Sequence, residues 1–201
     1  MDRRSLLTTL SLAPLALVGG APKLAAASRG PRANYFPNVT LYNQFGKKVK
    51  FYDDVIAGKL VTVNFFFADC NNICPRMTSN LVKVQKLLGK KVGTEIFMNS
   101  LTLSPQTDTP EVLKEYADMH GVGPGWQFLT AHPEDMEKLR RKLGFVDPDP
   151  QVDKDREQHI GVVLYGNERY DRWAGCPAIT KPQEIVQYIG WLADPPKAKA
   201  A

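Results

Sequence analysis

The chain has 201 residues, of which 43% are hydrophobic and 23% are charged. These proportions are typical of a globular domain and exclude a fully disordered chain. Three cysteines are too few for a disulfide scaffold. The formal net charge of +5 is small, and no basic stretch is interleaved with aromatic residues, so we expect no nucleic-acid partner.

Residues 1–27 have the composition of an export signal. Arg3 and Arg4 precede an apolar stretch over residues 6–21, and small residues follow at 25–28. A charged start, an apolar middle and a small-residue exit are typical of secretion signals, and the arginine pair resembles a twin-arginine signal. An uncleaved anchor is the alternative, although the stretch is short for a bilayer span. In both cases we expect the folded part to work in the periplasm.

After a predicted linker over residues 28–36, the pattern alternates strands and helices. Strands at 39–42 and 48–51 flank Asn43-Gln44-Phe45-Gly46 and predict a hairpin. Residues 60–67 (Leu-Val-Thr-Val-Asn-Phe-Phe-Phe) are rich in β-branched and aromatic side chains. This composition is typical of a central strand that is buried on both faces.

The next predicted element is a helix with Pro75 at its first position and Cys74 at its cap. Its apolar stripe is predicted to contain Leu81, Val84, Leu87 and Leu88. A strand at 95–103 precedes a helix that Thr109 caps, and the apolar face of that helix is predicted to be Val112, Leu113, Tyr116 and Met119.

The remaining elements are a strand at 126–130, a helix at 133–143, a hairpin of strands 160–165 and 170–173 around Gly166-Asn167, and a closing helix at 181–192. Residues 195–201 are predicted to be a frayed tail. Alternating strands and helices with hairpins predict an α/β domain over residues 37–194, built on a mixed sheet.

The candidate chemistry lies at Cys70 and Cys74, where a short loop joins the predicted central strand to a helix. A helix N-terminus favours negative charge, so we expect a nearby thiolate to be stabilised. Three residues separate the two thiols, and this spacing allows either a disulfide or a shared metal ion. Two unreactive buried cysteines and a purely structural disulfide are the alternatives.

The segment Val61-Thr-Val-Asn-Phe-Phe-Phe-Ala-Asp-Cys-Asn-Asn-Ile-Cys-Pro75 resembles the strand and Cys-x-x-x-Cys-Pro loop of the Sco/SenC family. Leu41-Tyr-Asn-Gln-Phe-Gly-Lys-Lys-Val49 is similar to that family's N-terminal hairpin. Residues 104–111 (Ser-Pro-Gln-Thr-Asp-Thr-Pro-Glu) resemble its Asp-Pro-x-x-Asp-Thr-Pro-Glu loop, with Ser104 where an aspartate is usual, and Gly125-Trp-Gln-Phe-Leu-Thr130 also fits.

This resemblance implies a thioredoxin-like fold that binds copper as Cu(I) or Cu(II). The ligands that it implies are Cys70, Cys74 and His159. His159 replaces the proline that thioredoxins often place before this strand. Soft sulfur ligands suit Cu(I), and an imidazole makes Cu(II) tolerable. Asp69 and Asp108 are candidates for orienting His159, and we expect His120 and His132 to be surface or capping residues.

Three functions follow as hypotheses. In the first, the protein delivers copper to a membrane-associated client, which the resemblance identifies as the dinuclear copper centre of cytochrome c oxidase subunit II, or to another copper protein. In the second, Cys70 and Cys74 are the catalytic pair of a thiol–disulfide oxidoreductase that uses a thiol reductant. In the third, the pair senses redox state without turnover. Cys176 lies outside the ligand pattern and is either a small core residue or a thiol that pairs between chains.

Overall fold

The computed structural model describes residues 30–155 and 161–194. Its strands are β1 (Thr40–Asn43), β2 (Lys48–Lys50), β3 (Leu60–Phe66), β4 (Ile96–Thr102), β5 (Trp126–Ala131), β6 (Val162–Asn167) and β7 (Arg172–Pro177). Its helices are α1 (Ile73–Leu88), α2 (Pro110–Met119), α3 (Pro133–Lys142), α4 (Pro150–Lys154) and α5 (Pro182–Ala193). Short helical turns lie at Phe51–Ile56, Gly89–Lys91 and Glu168–Tyr170.

A single seven-stranded sheet organises these elements in the order β2-β1-β5-β4-β3-β6-β7. β3, β4 and β5 are parallel, whereas β1, β2, β6 and β7 pair antiparallel with their neighbours. The mixed sheet and its N-terminal hairpin are therefore confirmed. Because β3 and β4 are parallel neighbours, their carboxyl ends meet at the same edge of the sheet.

β3 is buried on both faces, as its composition predicts. Phe66 faces a core cluster that includes Met77 of α1 and Leu113 of α2. Val61 and Phe65 face a second cluster formed with α3 and the turn at Phe51–Ile56. Side chains that alternate between two apolar layers hold β3 at the centre of the domain.

α1 begins at Ile73, two residues before the predicted start at Pro75. Proline is tolerated in the first helical turn because the N–H groups there have no intrahelical acceptor. The predicted buried stripe is correct for Leu81, Val84 and Leu88. It is wrong for Leu87, which is 52% exposed, because Leu87 follows Lys83 by four residues and shares its outward face.

The predicted apolar face of α2 is also partly wrong. Leu113, Tyr116 and Ala117 form the buried face, whereas Met119 is 80% exposed. The rotation of the helix carries Met119 past the edge of this face.

The hairpin of β6 and β7 turns later than predicted. Gly166 and Asn167 lie inside β6, where they pair with Trp173 and Arg172. The chain reverses at Glu168–Tyr170 and at Asp171, whose φ is +50°. Gly166 is required for close packing and not for a turn, because a Cβ at this position would lie 2.1 Å from the Trp173 ring.

Residues 30–36 belong to the predicted linker, and they pack against the domain. Phe36 is 6% exposed, and its ring centroid lies 6.1 Å from that of Phe51 and 5.0 Å from that of Trp173. The chain therefore joins the core several residues before the first strand.

Glu168 attaches this segment to the amino end of β3. Its side chain is completely buried. The carboxylate accepts hydrogen bonds from the backbone N–H groups of Arg32 (3.3 Å) and Gly58 (2.8 Å) and from the Tyr52 hydroxyl (2.7 Å). One acidic side chain thus joins three segments that are distant in sequence.

No helix within residues 30–155 and 161–194 has the length and apolarity that a bilayer crossing requires. The predicted export signal or anchor at residues 1–27 and the predicted tail at 195–201 lie outside the described residues.

Candidate dithiol centre

Cys70 and Cys74 come together where β3 leads into α1. Cys70 lies in the connecting loop, and Cys74 is the second residue of α1. The two side chains are 4% and 0% exposed, and both are free thiols. The Cys70 thiol lies close enough to Cys74 to raise the pKa of the Cys74 thiol. The loop therefore presents a buried sulfur pair at the first turn of a helix.

The environment of Cys74 opposes ionisation. Burial raises the pKa of the Cys74 thiol well above its ordinary value, and the hydrogen bond to Cys70 raises it further, although a backbone hydrogen bond with Phe67 acts in the opposite direction. The expectation that the helix terminus stabilises a thiolate is wrong for Cys74, because its sulfur lies in an apolar cluster with Phe66 and Met77. At neutral pH this thiol keeps its proton, which it must lose to bind a metal ion.

Asp108 fixes the start of the dithiol loop. It is 2% exposed, and its Oδ2 accepts hydrogen bonds from the backbone N–H of Ala68 (3.1 Å) and from the Thr102 hydroxyl. The backbone N–H of Ser104 donates to the same Thr102 hydroxyl at 2.8 Å. Asp108 therefore ties the loop that carries Cys70 to the end of β4.

Tyr116 packs below the sulfur pair. Its hydroxyl lies 3.0 Å from the Thr78 hydroxyl of α1, and its ring centroid lies 5.0 Å from that of Phe66. Burial raises the pKa of Tyr116, and the nearby thiols of Cys70 and Cys74 add to the shift. Tyr116 therefore stays a neutral hydrogen-bonding group that joins α2 to α1.

His159, the third predicted ligand, lies outside the described residues. Gly161 follows it by two positions and lies against the first turn of α1, because a Cβ at Gly161 would be only 3.1 Å from Ile73 Cγ1. The carbonyl of Gly161 also accepts a hydrogen bond from the backbone N–H of Ala178 at 2.8 Å. The chain that leaves residue 160 is thus fixed beside the helix that carries Cys74.

The other histidines are at helix ends, as predicted. His120 follows α2 and packs against Tyr116, with ring centroids 4.4 Å apart and ring planes tilted by 47°, and burial lowers its pKa. His132 precedes Pro133 of α3 and is exposed.

The remaining candidates near the loop differ in burial. Asp69 is exposed, whereas Ser104, at the position of the usual aspartate, is buried. Across residues 30–155 and 161–194, no three His, Cys, Asp or Glu side chains are grouped as a metal site.

Cys176 lies on β7 opposite Val163. It is half-buried against the core cluster that contains Cys74. Burial raises its pKa, and a hydrogen bond with Thr180 lowers it. Its surroundings fit a small core side chain.

The sequence did not predict that Asp108 holds the dithiol loop or that the hydroxyls of Tyr116 and Thr78 are in contact. Asp108 remains a candidate partner for His159, which lies outside the described residues, and its hydrogen bonds also hold the dithiol loop. Its position before the Thr109 cap and Pro110 is the only local signal for this role, and that signal predicts a helix start.

A family model described as SCO1/SenC matches residues 28–187. A SCO2-like protein of Rickettsia felis is 35% identical over 146 residues, which cover 69% of this chain and 68% of that protein. A SCO1 protein homolog of Bacillus subtilis is 31% identical over 96 residues, which cover 47% of this chain and 48% of that protein. The match therefore spans about half the length of the Bacillus subtilis relative.

Solved structures share the fold. A SCO1/SenC family lipoprotein from Bacillus anthracis superposes with a TM-score of 0.64 at 24% identity, over 79% of this chain and 95% of that one. Bradyrhizobium japonicum ScoI with copper bound gives 0.61 at 20% identity, over 76% and 96%. BsSco, described with a disulfide switch and as a member of the Sco family of cytochrome c oxidase assembly proteins, gives 0.63 at 21% identity, over 79% and 94%.

Proposed function

This chain belongs to the SCO1/SenC family, and we propose that it binds copper through Cys70, Cys74 and His159 and delivers it to the dinuclear copper centre of cytochrome c oxidase subunit II. The observation that carries the proposal is the buried pair of free Cys70 and Cys74 thiols at the first turn of α1. A family relative that holds copper in its solved structure supports the choice of metal.

The donor set fits copper better than the hard cations. Two sulfurs are soft ligands that favour Cu(I), and one imidazole nitrogen extends the set to Cu(II). A structural zinc site would require a fourth ligand, and the described residues offer no third His, Cys, Asp or Glu beside the pair. Copper held by three ligands leaves a position open for a ligand from a partner.

The position of Gly161 supports the assignment of His159. Gly161 lies against Ile73, the residue before Cys74. Only Ile160 separates His159 from Gly161. A histidine two residues from this contact is within reach of the first turn of α1.

The raised pKa of Cys74 supports delivery rather than permanent storage. Burial and the hydrogen bond to Cys70 stabilise the protonated form of the thiol. A proton therefore competes with copper for this sulfur. When a partner's ligand takes the copper, Cys74 regains a proton, and the free energy of protonation assists release.

A periplasmic location and a membrane-associated client belong to the same proposal. The arginine pair and apolar stretch in residues 1–27 support export. A solved family relative is a lipoprotein, which is consistent with work at a membrane surface.

The test is an anaerobic copper titration of the reduced full chain. We expect one equivalent of Cu(I) to bind and Cu(II) to give a visible thiolate-to-copper absorption band. Cys70→Ser and Cys74→Ser should lose both, and His159→Ala should lose the Cu(II) band. Cys176→Ser and His132→Ala are the matched controls, and both should bind like the unchanged chain. Retention of the Cu(II) band in His159→Ala would contradict the ligand assignment.

Delivery needs a second measurement. The copper-loaded chain is mixed with the isolated copper domain of subunit II, and copper is followed by the appearance of the dinuclear-centre spectrum. We expect stoichiometric transfer from the unchanged chain and from Cys176→Ser. Copper that stays bound while a small chelator still removes it would contradict delivery to this client.

Contact between the two thiols also favours a second candidate, a thiol–disulfide oxidoreductase. One sulfur attacks a partner's disulfide as a thiolate, forms a mixed disulfide and releases one partner thiolate. The other sulfur then displaces the second partner thiolate, so this chain is oxidised to a Cys70–Cys74 disulfide and the partner is reduced to a dithiol. A thiol reductant must restore the pair. Disulfide reduction that needs both cysteines and is unaffected in His159→Ala would favour this function.

A further inference from the structure

The outer face of α1 carries a row of cations that begins in the first turn of the helix, two residues after Cys74. Arg76, Lys83, Lys86 and Lys90, called here the basic stripe, are all exposed. The spacings of seven, three and four residues place these side chains along one side of the helix, with Leu87 exposed among them. At about 1.5 Å per residue, the row is roughly 20 Å long.

The segment that carries the basic stripe has as much net positive charge as the whole chain. Residues 73–91 contain five basic and no acidic side chains, while the whole chain has a formal charge of +5. The rest of the chain is therefore balanced. None of the four stripe side chains forms an ion pair or hydrogen bond with another described residue, whereas Arg140 of α3 is paired with Glu137 and Asp153.

Arg76 is in a position that helix stability does not explain. It lies in the first turn of α1, where the helix dipole disfavours positive charge. The first turns of α2, α3 and α5 contain Glu111, Glu134 with Asp135, and Glu184, but that of α1 contains no acidic residue. A cation two residues after Cys74, with no ion pair to another described residue, is therefore retained at a cost to the helix.

We infer that the basic stripe is the docking surface for a protein with an acidic surface, which exchanges copper with Cys70 and Cys74 while bound along α1. This inference rests on the proposed copper transfer. A row of exposed cations attracts carboxylates, speeds encounter and fixes the orientation of the partner. Because the stripe starts at Arg76, a partner aligned on it has its nearest end over the dithiol loop.

The stripe is less suited to other charged partners. It contains no aromatic side chain that could stack on a base, as nucleic-acid surfaces usually do. Leu87 is the only large apolar side chain within it, whereas a helix that lies in a lipid surface has a broad apolar face.

The first test uses the reduced, copper-free full chain and two synthetic peptides. Each peptide has two cysteines that can hold Cu(I), followed by a run of glutamates in one and of glutamines in the other. We expect the glutamate peptide alone to bind, with an affinity that falls as salt rises. Lys83→Gln, Lys86→Gln and Lys90→Gln combined should weaken binding about tenfold.

The matched control removes the same charge elsewhere. Lys47→Gln, Lys48→Gln and Lys50→Gln combined change exposed side chains of the β1–β2 hairpin, at the edge of the sheet that β2 forms. This variant should bind the glutamate peptide like the unchanged chain. Equal weakening in the two triple variants would show a general charge effect and overturn the inference.

The second test follows Cu(I) transfer from each copper-loaded chain to the two peptides. Transfer to the glutamate peptide should be slowed about tenfold in the stripe variant and little in the hairpin variant. Equal transfer rates for the two peptides would overturn the inference of a docking surface. The proposal that the chain binds copper would not be affected. If copper does not bind but stripe-dependent peptide binding persists, the proposed function fails and the acidic-partner surface stands.

Vesicles of phosphatidylglycerol separate a protein partner from a lipid surface. The stripe and hairpin variants should sediment with these vesicles to the same extent. Loss of vesicle binding in the stripe variant alone, with peptide binding unchanged, would assign the stripe to the membrane and overturn the inference.

Discussion

Glu168 and Asp108 are buried carboxylates at opposite ends of β3, and within the described residues each is held by N–H and hydroxyl donors. Glu168 accepts from Arg32, Tyr52 and Gly58 at the amino end of β3. Asp108 accepts from Ala68 and Thr102 at the carboxyl end. The bonding is similar, but the segments that are joined differ.

The difference lies in what each carboxylate holds in place. Glu168 attaches the N-terminal segment and a helical turn to the sheet, with no reactive group nearby. Asp108 attaches the loop that begins two residues before Cys70. We therefore expect changes at Glu168 to lower stability with little effect on copper, and changes at Asp108 to affect the dithiol.

The largest expected effect is at Glu168. Glu168→Ala removes the buried carboxylate that accepts from two backbone N–H groups and the Tyr52 hydroxyl, which should lower the free energy of unfolding by about 4 kcal/mol. Urea denaturation of the reduced chain measures this change. The exposed control Glu95→Ala should change stability by less than about 0.5 kcal/mol. Equal stability of the two variants would contradict the structural role of Glu168.

Asp108→Asn should affect both stability and copper. The asparagine oxygen can still accept from Ala68 and Thr102, but as a neutral acceptor it holds both donors less strongly than the carboxylate does. The unfolding free energy should therefore fall by about 2 kcal/mol. We expect the displaced loop to weaken Cu(I) binding about tenfold, measured by competition with a chromogenic chelator. The control is Asp118→Asn on the exposed face of α2. An unchanged Cu(I) affinity in folded Asp108→Asn would contradict the expectation that Asp108, unlike Glu168, affects copper binding.

The dithiol end should also give the protein a pH-dependent stability. The pKa of Cys74 is raised above its ordinary value near 9. When the pKa of a thiol is higher in the folded than in the unfolded chain, the protonated thiol stabilises the folded state at pH values below its pKa in the unfolded chain. This stabilisation is lost progressively as the pH rises above that value. Between pH 9 and 10, the stability of the reduced, copper-free chain should fall by up to about 1.4 kcal/mol per pH unit.

Denaturation at several pH values in this range, with Cys74→Ser as the comparison, tests the prediction. The Cys74→Ser variant should lose the larger part of this slope, whereas Cys176→Ser, whose thiol pKa is raised less, should lose a smaller part. The same slope in Cys74→Ser would show that another group titrates.

The smallest expected effect is at the contact between α1 and α2. Tyr116→Phe removes the hydroxyl that lies 3.0 Å from Thr78 Oγ1 and should lower the unfolding free energy by about 1 kcal/mol. The double variant with Thr78→Val should cost less than the sum of the two single changes, because the hydroxyls share one hydrogen bond. Strict additivity would show that the contact contributes nothing.

Much of the fold could be predicted because the signals are local. The apolar run of residues 60–67 predicted the buried central strand, and Thr109 with Pro110 predicted the start of α2, which its side-chain cap confirms. Leu87 and Met119 were assigned wrongly because periodicity alone does not show where a neighbouring element ends. Gly166-Asn167 was assigned to a turn because its composition suits one, but the Trp173 ring requires a glycine inside the strand.

The sequence by itself determined the alternation of strands and helices, the mixed sheet and the placement of two cysteines at a strand-to-helix junction. These features depend on the spacing of apolar side chains and on the residues that begin helices. Only the tertiary structure decided that Asp108 holds the dithiol loop, that Glu168 holds the N-terminal segment and that the Cys74 thiol keeps its proton. The physical reason is that burial and hydrogen bonding at these residues depend on partners far away in the chain.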